Sequence, residues 1–541
     1  MLTGLPILTV ILFTPALGAL LLLSLPSYRV VWLRYIAAAI SALPLLLSMV
    51  LFISYQPGRG GEGFNERLPW FRLPWGHTEL QFDYHLAVDG LSLPLVVLAA
   101  LVFAISAAAS FIHIKKRWKT YYVLFLVLQT CSFGLLLSRD VFMFVLFMET
   151  AFVVIYMLLG IWGGERKEEA SRAYLNYSAV SSALLLLGLA LLLGWGSAPS
   201  NHAALLDDAS AQETLSGSYD ALYSKLYSEG EVWEAPNLLS PDEPVGPADS
   251  GMADGLKWLI YVLLAAGFLL RLPVVPFHTW LLQFYRQAPP PVSMLAAGIM
   301  VQAGVYGLLR FVFMLFPEQS AACSALWVFA GLLNLLYGAL SITAQTDLRH
   351  VAGYSMLSQS GVVLLGLGAM NEWGLTGGLF HLVSIGLVGS LMVLIFGSYY
   401  ERTGTYDIGQ LSGLARPMPY MSGLLMAAML AAVAMPGLSG FSGTLTVLIG
   451  LFETMKGAAV ATMLGLLLAG VALLRVVLNI TYGPARGSLA SLQDARLSEA
   501  VPMIVLLAFI ILLGIYPSVL LDQMTHSFSS LLSWLNIRTG G

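Results

Sequence analysis

LKWLIYVLLAAGFLLRLPVVPFHTWLLQFYRQAPPPVSMLAAGIMVQAGVYGLLRF, residues 256–311, is the stretch that decides how this chain reads. Its first apolar run carries Arg271, with Pro273 and Pro276 just behind it. A proline triplet, Pro289, Pro290 and Pro291, then leads into a second apolar run. Each of these features is costly inside a lipid bilayer. An ionisable residue within a span marks a functional site by default, because its burial must be compensated. Prolines open the helical hydrogen-bond ladder, which survives only where neighbouring helices or a wet cavity satisfy the freed backbone. A broken helix beside a charge is how transporters build ion sites at mid-membrane depth.

The rest of the chain agrees with that setting. Of 541 residues, 58% are hydrophobic and 10% charged, against about 25% charged in a soluble protein. The composition makes this an all-α polytopic membrane protein. At about 20 apolar residues per crossing, about 14 transmembrane helices are expected. They fall near 5–25, 31–54, 87–111, 120–138, 140–161, 173–196, 257–282, 290–315, 322–343, 348–369, 375–398, 418–450, 458–483 and 500–522. The first run is long enough to span and lacks a basic leader, so it reads as a span rather than a cleaved signal.

Charge sorts the connections. The odd-numbered ones carry Arg29 and Arg34, then Lys115, Lys116, Arg117 and Lys119, then Arg166, Lys167 and Arg172, and further on Arg286, Arg349, Arg402, Arg416, Arg486 and Arg496. By the positive-inside rule these face the cytoplasm, which puts both termini outside; the expected location is a bacterial-type cell (inner) membrane. Arg59, Arg67 and Arg72, in the loop from Gln56 to His85, run against the bias. The longest polar insertion, 197–256, holds many carboxylates and one basic residue, Lys225. It reads as a flexible external loop in preference to a docking surface.

Span 7 breaks at Pro273 and Pro276, and span 12 breaks at Pro436. Interrupted helices at matching places in two halves point to a repeated translocation unit. The expected organisation is N-terminal spans over 1–119 and two repeated five-helix units, 120–315 (spans 4–8) and 316–483 (spans 9–13). A last span lies within 484–541.

Glu149 lies near the middle of span 5, in VFMFVLFMETAFVVIYMLLG. A carboxylate there is either a packing salt bridge or a proton-exchanging group whose protonation a nearby cation controls. Arg271 is the natural cation. Arginine does not release its proton, so it can tune a carboxylate but cannot relay protons; its structural alternative is to snorkel to an interface or cap freed carbonyls. Gln302 is the strongly polar side chain in the middle of span 8, where a cross-helix hydrogen bond is the default. Gln359 reads the same way. His381, at the start of span 11, could titrate, but its position suits an interfacial histidine. Arg310 and Arg475 read as structural, Asp347 and Asp89 as helix caps, and His278 and Trp280 as an interfacial belt. Cys131 and Cys323 read as small buried hydrophobes. No basic patch interleaved with aromatics favours nucleic acid. No phosphate loop, dinucleotide fingerprint, haem ligand pair or nucleophile–base set stands in a credible context, so no cofactor or metal is expected in this chain.

At this point the motifs resemble a family. VDGLSLPL (88–95), DVFMFVLFMET and YMLLGIWGGER (140–166), RLPVVPFHTWL (271–281), QAPPPVSMLAAG (287–298) and GVYGLLRF (304–311) are similar to the antiporter-like membrane subunits of respiratory complex I. So are NLLYGAL and AQTDLRHVAGYSMLSQSG (334–361), YDIGQLSGLARPMP (406–419) and MPGLSGFSG (435–443). The family is shared with multisubunit cation/proton antiporters, and the chain-M type of NADH-quinone oxidoreductase looks closest. The resemblance implies a subunit that translocates protons while partner subunits, carrying flavin and iron–sulfur clusters, pass electrons to quinone. Other implied settings are a cation/proton antiporter, a membrane-bound hydrogenase-type complex, or a scaffold that does not pump.

The departures from the family pattern are specific. The resemblance implies a proton path with a glutamate in span 5, which Glu149 keeps. Arg271 stands where a span-7 lysine is expected and Gln302 where a span-8 lysine is. Gln359 and Ile385 stand where histidines are expected, and Thr444 where a charged residue of span 12 is. Leu282, Gln283, Phe284 and Tyr285 replace a further family segment. Several relay positions are thereby neutral, and pumping is expected to be weakened.

Overall fold

The computed structural model describes residues 6–55, 64–75, 78–196, 214–227, 252–484, 492–525 and 527–528. In lipid, a helix closes its backbone hydrogen bonds within one segment, so the long apolar runs become helices. In chain order these are α1 (Ile7–Ser24), α2 (Val30–Ser54), α3 (Ser92–His113), α4 (Trp118–Leu137), α5 (Val141–Trp162), α6 (Lys167–Gly196) and the short α7 (Tyr219–Tyr227). They continue with α8 (Asp254–Arg271), α9 (Thr279–Gln287), α10 (Pro290–Leu295), α11 (Val301–Leu308), α12 (Pro317–Ala322) and α13 (Ser324–Thr343). The last are α14 (Leu348–Gly368), α15 (Glu372–Thr403), α16 (Pro419–Ala432), α17 (Ser439–Thr454), α18 (Lys456–Tyr482) and α19 (Leu497–Ile515). Among the described residues, 12 helices are long and apolar enough to cross a membrane, counting Pro290–Phe313 as one. The two other expected spans are interrupted: α8 gives way to α9 after Arg271, and α16 to α17 after Ala432.

The central column is α15. Its 32 residues reach about 48 Å at 1.5 Å per residue, and its most apolar window is buried throughout. Helices α3, α10, α14, α17 and α19 pack around it. On the outside, Leu17, Leu20, Trp32, Ile53 and Leu464 are exposed, as lipid-facing side chains are.

Both breaks leave backbone groups that need partners, and side chains supply them. Fully buried Asn334 of α13 accepts from the Val275 amide through Oδ1 at 2.8 Å and donates through Nδ2 to the Pro273 carbonyl at 2.8 Å. At the second break, Gln359 Nε2 donates to the Ala432 carbonyl at 2.7 Å. Asn334→Leu leaves the Val275 amide unpaired and leaves the Pro273 carbonyl only the longer bond from Ser360 at 3.4 Å, a loss of about 1–3 kcal/mol for the unpaired group. The thermal unfolding midpoint of the detergent-solubilised protein should fall clearly in that variant. An unchanged midpoint would mean the break is held by something else.

The structure corrects the expectation of helices and loops alone. Strands β1 (Asn65–Trp75) and β2 (Thr78–Ala87) form an antiparallel hairpin, and β3 (Thr214–Ser216) pairs parallel with β2. The hairpin occupies what reads as an outer loop. It is pinned by an aromatic cluster, with Phe71 and Phe142 rings 5.1 Å apart, and Glu66 accepts from the Leu8 and Thr9 amides that open α1. The acidic insertion is likewise not wholly loop, because residues 214–227 hold β3 and α7. There the Gly217 amide donates to Gln81 and the Tyr219 amide to Arg139. The rest of that insertion, 197–213 and 228–251, lies outside the described residues.

A buried ion cluster ties the sheet to the helices. Asp89 Oδ1 accepts from the Ser92 amide at 2.8 Å, the cap expected of it. Its other oxygen binds Arg139 at 3.0 Å and also Arg310, with all three side chains buried. Arg310 is therefore structural. Asp347 caps α14 through the Arg349 amide at 2.8 Å, Arg475 lies exposed on α18, and Cys323 is half-buried where Cys131 is buried.

Candidate functional site

Asp140 fixes where Glu149 sits. Its carboxylate accepts from the Phe142 and Met143 amides and starts α5, which carries Glu149 to mid-helix. Arg271 arrives from the last turn of α8, the point where Pro273 ends that helix. The two meet: Arg271 Nη2 stands 2.9 Å from Glu149 Oε1. Ser182 of α6 donates to the carboxylate at 2.7–2.8 Å and accepts from Arg271 Nη2 at 2.8 Å. Ser181 accepts from Arg271 Nε at 3.0 Å and donates to the Gly267 carbonyl at 2.8 Å. The sequence reading missed both serines. Their signal was SAVSSALLLL (178–187), a hydroxyl cluster on one turn of a lipid-length apolar run.

Burial of the pair is uneven. The Arg271 side chain is 12% exposed, and that of Glu149 is 28% exposed. Glu149 thus opens to the flank of this chain, beside exposed Leu146 and Val153. On the inner side Arg271 lines a cavity of about 50 Å³ with Ser132, Tyr174, Ser178, Trp280 and Met300, enough for about three waters. His278 and Trp280, expected at a membrane interface, are buried at 5% and 3% exposure because the break turns the chain inward. The His278 ring packs 5.0 Å from that of Tyr337.

Gln302 is buried, and neither side-chain atom has a hydrogen-bond partner among the described residues. The expected cross-helix hydrogen bond is not made. The amide instead faces Gly386 of α15, where a β-carbon would stand 2.6 Å from its Nε2. Five-residue π-helical turns, 296–300 and 309–313, flank α11 on both sides. Such turns concentrate at functional sites.

His381 is not interfacial. It sits ten residues into the buried column α15 at 2% exposure, with Nε2 2.8 Å from Gln359 Oε1. Since Gln359 Nε2 donates to Ala432, the imidazole Nε2–H donates to Oε1. Nδ1 then has no partner among the described residues. A cavity of about 20 Å³, lined by Ser355, Gln359, His381, Ser384 and Ile385, lies beside them. Beyond the second break Thr444 is buried, its hydroxyl without a partner among the described residues, and Ala434 takes the left-handed backbone at φ 60°, a strained conformation for alanine. The polar side chains thus form three groups in the bundle: the Glu149–Arg271 pair, Gln302 against Gly386, and His381 with Gln359 and the freed carbonyl at Ala432.

Residues 138–471, which contain all of these polar side chains, match the family model described as NADH:quinone oxidoreductase/Mrp antiporter, TM. The chain belongs to this antiporter family. Among its relatives, chain 4 of an NAD(P)H-quinone oxidoreductase from a Synechococcus species is 30% identical, over 95% of this chain and 90% of its own length. Subunit M of the NADH-quinone oxidoreductase of Rickettsia felis is 27% identical over 98% of this chain and 99% of its own. A chain from the structure of respiratory complex I of Thermus thermophilus with bound NADH superposes with a TM-score of 0.78. It is 24% identical, covering 97% of this chain and 99% of that one, a likeness of fold. In antiporter-family terms, this chain is of the M type.

Proposed function

We propose that this chain is the M-type membrane subunit of a proton-translocating NADH-quinone oxidoreductase, and that the Glu149–Arg271 pair couples it to its neighbours. The observation that carries the reading is the pair itself, a 2.9 Å ion contact at mid-span between an open flank and a cavity. With the pair closed, Arg271 Nη2 and Ser182 Oγ both bind the Glu149 carboxylate. A charge arriving on the flank draws the pair apart, and the carboxylate then takes up a proton. Arg271 stays protonated throughout, so it acts as a movable field rather than a carrier. Ser182 contacts both partners and can follow either. Beyond the pair, Gln302 and Gln359 do not titrate and serve by holding water in line. His381 is the titratable group on the far side of Gln302.

In this reading the interrupted helices complete about 14 crossings, both termini lie outside, and the basic connections face the cytoplasm of a bacterial-type cell. The halves 120–315 and 316–483 act as repeated units. Electrons travel in partner subunits that carry flavin and iron–sulfur clusters and deliver to quinone. The competing reading, a scaffold with little conduction of its own, is favoured by the neutral side chains Gln302, Gln359, Ile385 and Thr444.

Purification of the protein from its native membranes in mild detergent tests the assignment. The expected companions are flavin, an iron–sulfur signal and NADH-dependent quinone reduction. A set of small antiport subunits without redox centres would overturn it and leave the cation/proton antiporter.

A further inference from the structure

We propose that His113, together with Glu401, is where protons are taken up from the basic face into the interior polar groups. This rests on the proton-translocating reading above. His113 is the last residue of α3, yet its side chain is only 2% exposed. Nδ1 lies 3.7 Å from Glu401 Oε1, and the Glu401 carboxylate is 23% exposed and held by Lys115 Nζ at 2.8 Å. The other ring nitrogen, Nε2, is buried with no partner among the described residues.

What lies behind the ring gives that atom a use. The carbon between the two nitrogens faces Gly397: a β-carbon there would stand 3.1 Å from His113 Cε1 and, on its other neighbour, 2.5 Å from Pro290 Cγ. Gly397 and Pro290 line a cavity of about 20 Å³, room for one water. Tyr285, whose buried hydroxyl has no partner among the described residues, lines it too, as do Ser293 and Arg349. This cavity shares Ala352 and Val393 with the one beside His381 and Gln359. The ring thus stands between the Glu401 carboxylate and Gly397, which lines the first of two adjoining cavities, and the second is lined by another histidine, His381.

The charged groups facing the ring are Glu401 of α15, Lys115 just past α3, and Glu499 of α19. Glu499 is paired with Arg402 at 3.0 Å, and Arg349 of α14 lies across the cavity. Imidazole can accept a proton on one nitrogen and release one from the other. Glu401 takes a proton from water and passes it to Nδ1; the Nε2 proton leaves to the cavity. One proton moves inward and the ring charge is unchanged; a half-turn of the ring then presents its bare nitrogen to Glu401 and its N–H inward, ready for the next proton. A plain ion pair between α3 and α15 would need none of these cavities.

The test uses the whole assembled complex in sealed vesicles, with NADH-driven proton movement normalised to the amount of assembled chain. His113→Gln and His113→Ala should each slow translocation about tenfold. Imidazole added to the medium should restore His113→Ala, where space is left for it, and not His113→Gln. Wild-type translocation by His113→Gln overturns the proposal, and so does a loss in His113→Ala that imidazole leaves unchanged. Glu149→Gln, measured alongside, separates the two claims. Normal His113 variants beside a defective Glu149→Gln fail only the uptake site, whereas a normal Glu149→Gln fails the function itself.

Discussion

Glu149→Gln should assemble like the wild type and translocate protons at about a tenth of its rate or less, the scale on which losing a proton-transfer group is felt. Glutamine is nearly isosteric, so it can keep the contact to Ser182 and still offer an oxygen to Arg271. What it cannot do is take and release a proton or hold a charge against the guanidinium. The structural cost should be small. The Glu149 side chain is 28% exposed, Arg271 keeps Ser181 and Ser182, and a cavity of about 50 Å³ adjoins it. NADH oxidation and vesicle acidification measured together give protons per electron. An unchanged ratio in this variant would favour the scaffold reading, because a scaffold needs the contact and not the proton.

Asp89→Ala should have the largest effect on stability. Asp89 is the shared counter-charge of Arg139 and Arg310, and the three side chains are 3–4% exposed. Removing one partner of a buried pair typically costs about 3–5 kcal/mol, because the remaining charge is left uncompensated. Here two guanidiniums lose their main partner; Arg139 keeps Asp220 at 3.7 Å as a weaker counter-charge, and Arg310 keeps the neutral Tyr306 hydroxyl at 3.3 Å. Folded domains are stable by only about 5–15 kcal/mol. The amount of chain recovered in the assembled complex should therefore collapse. Asp89→Asn keeps a side chain able to cap α3 but removes the charge, and it should do nearly as badly. Normal recovery of Asp89→Asn would assign the role of this residue to capping alone.

The membrane fold was legible because its cause is severe and local: an unpaired backbone group in lipid is so costly that apolar runs of spanning length have one outcome. The prolines at 273, 276 and 436 announced the breaks for the same reason. The hairpin was hidden, since Pro69 and Pro74 interrupt β1 and its Arg67 and Arg72 resemble loop charges. Its stability comes from Phe142 and from Gly217, distant in sequence. At the site, Glu149 and Arg271 stood out as lone charges in apolar runs. The serines beside them did not, because a helical serine commonly bonds its own preceding turn, and only the packing of α6 on α8 turns Ser181 and Ser182 toward the pair. The depth of His381 was equally out of reach. A position near the start of a span suggests an interface, whereas α15 is long and covered on every side. His113 carried no signal in the sequence, and its burial depends on Gly397, distant in the chain, lying against its ring.

The most direct test of the proton-coupling role is a double-mutant cycle on the pair, read as protons translocated per electron in vesicles holding the assembled complex. Glu149→Gln and Arg271→Gln should each lower that ratio, and the double variant should be no worse than the poorer single one, because the two side chains act as a unit. Losses that simply add, or a ratio that none of the three variants changes, would contradict it.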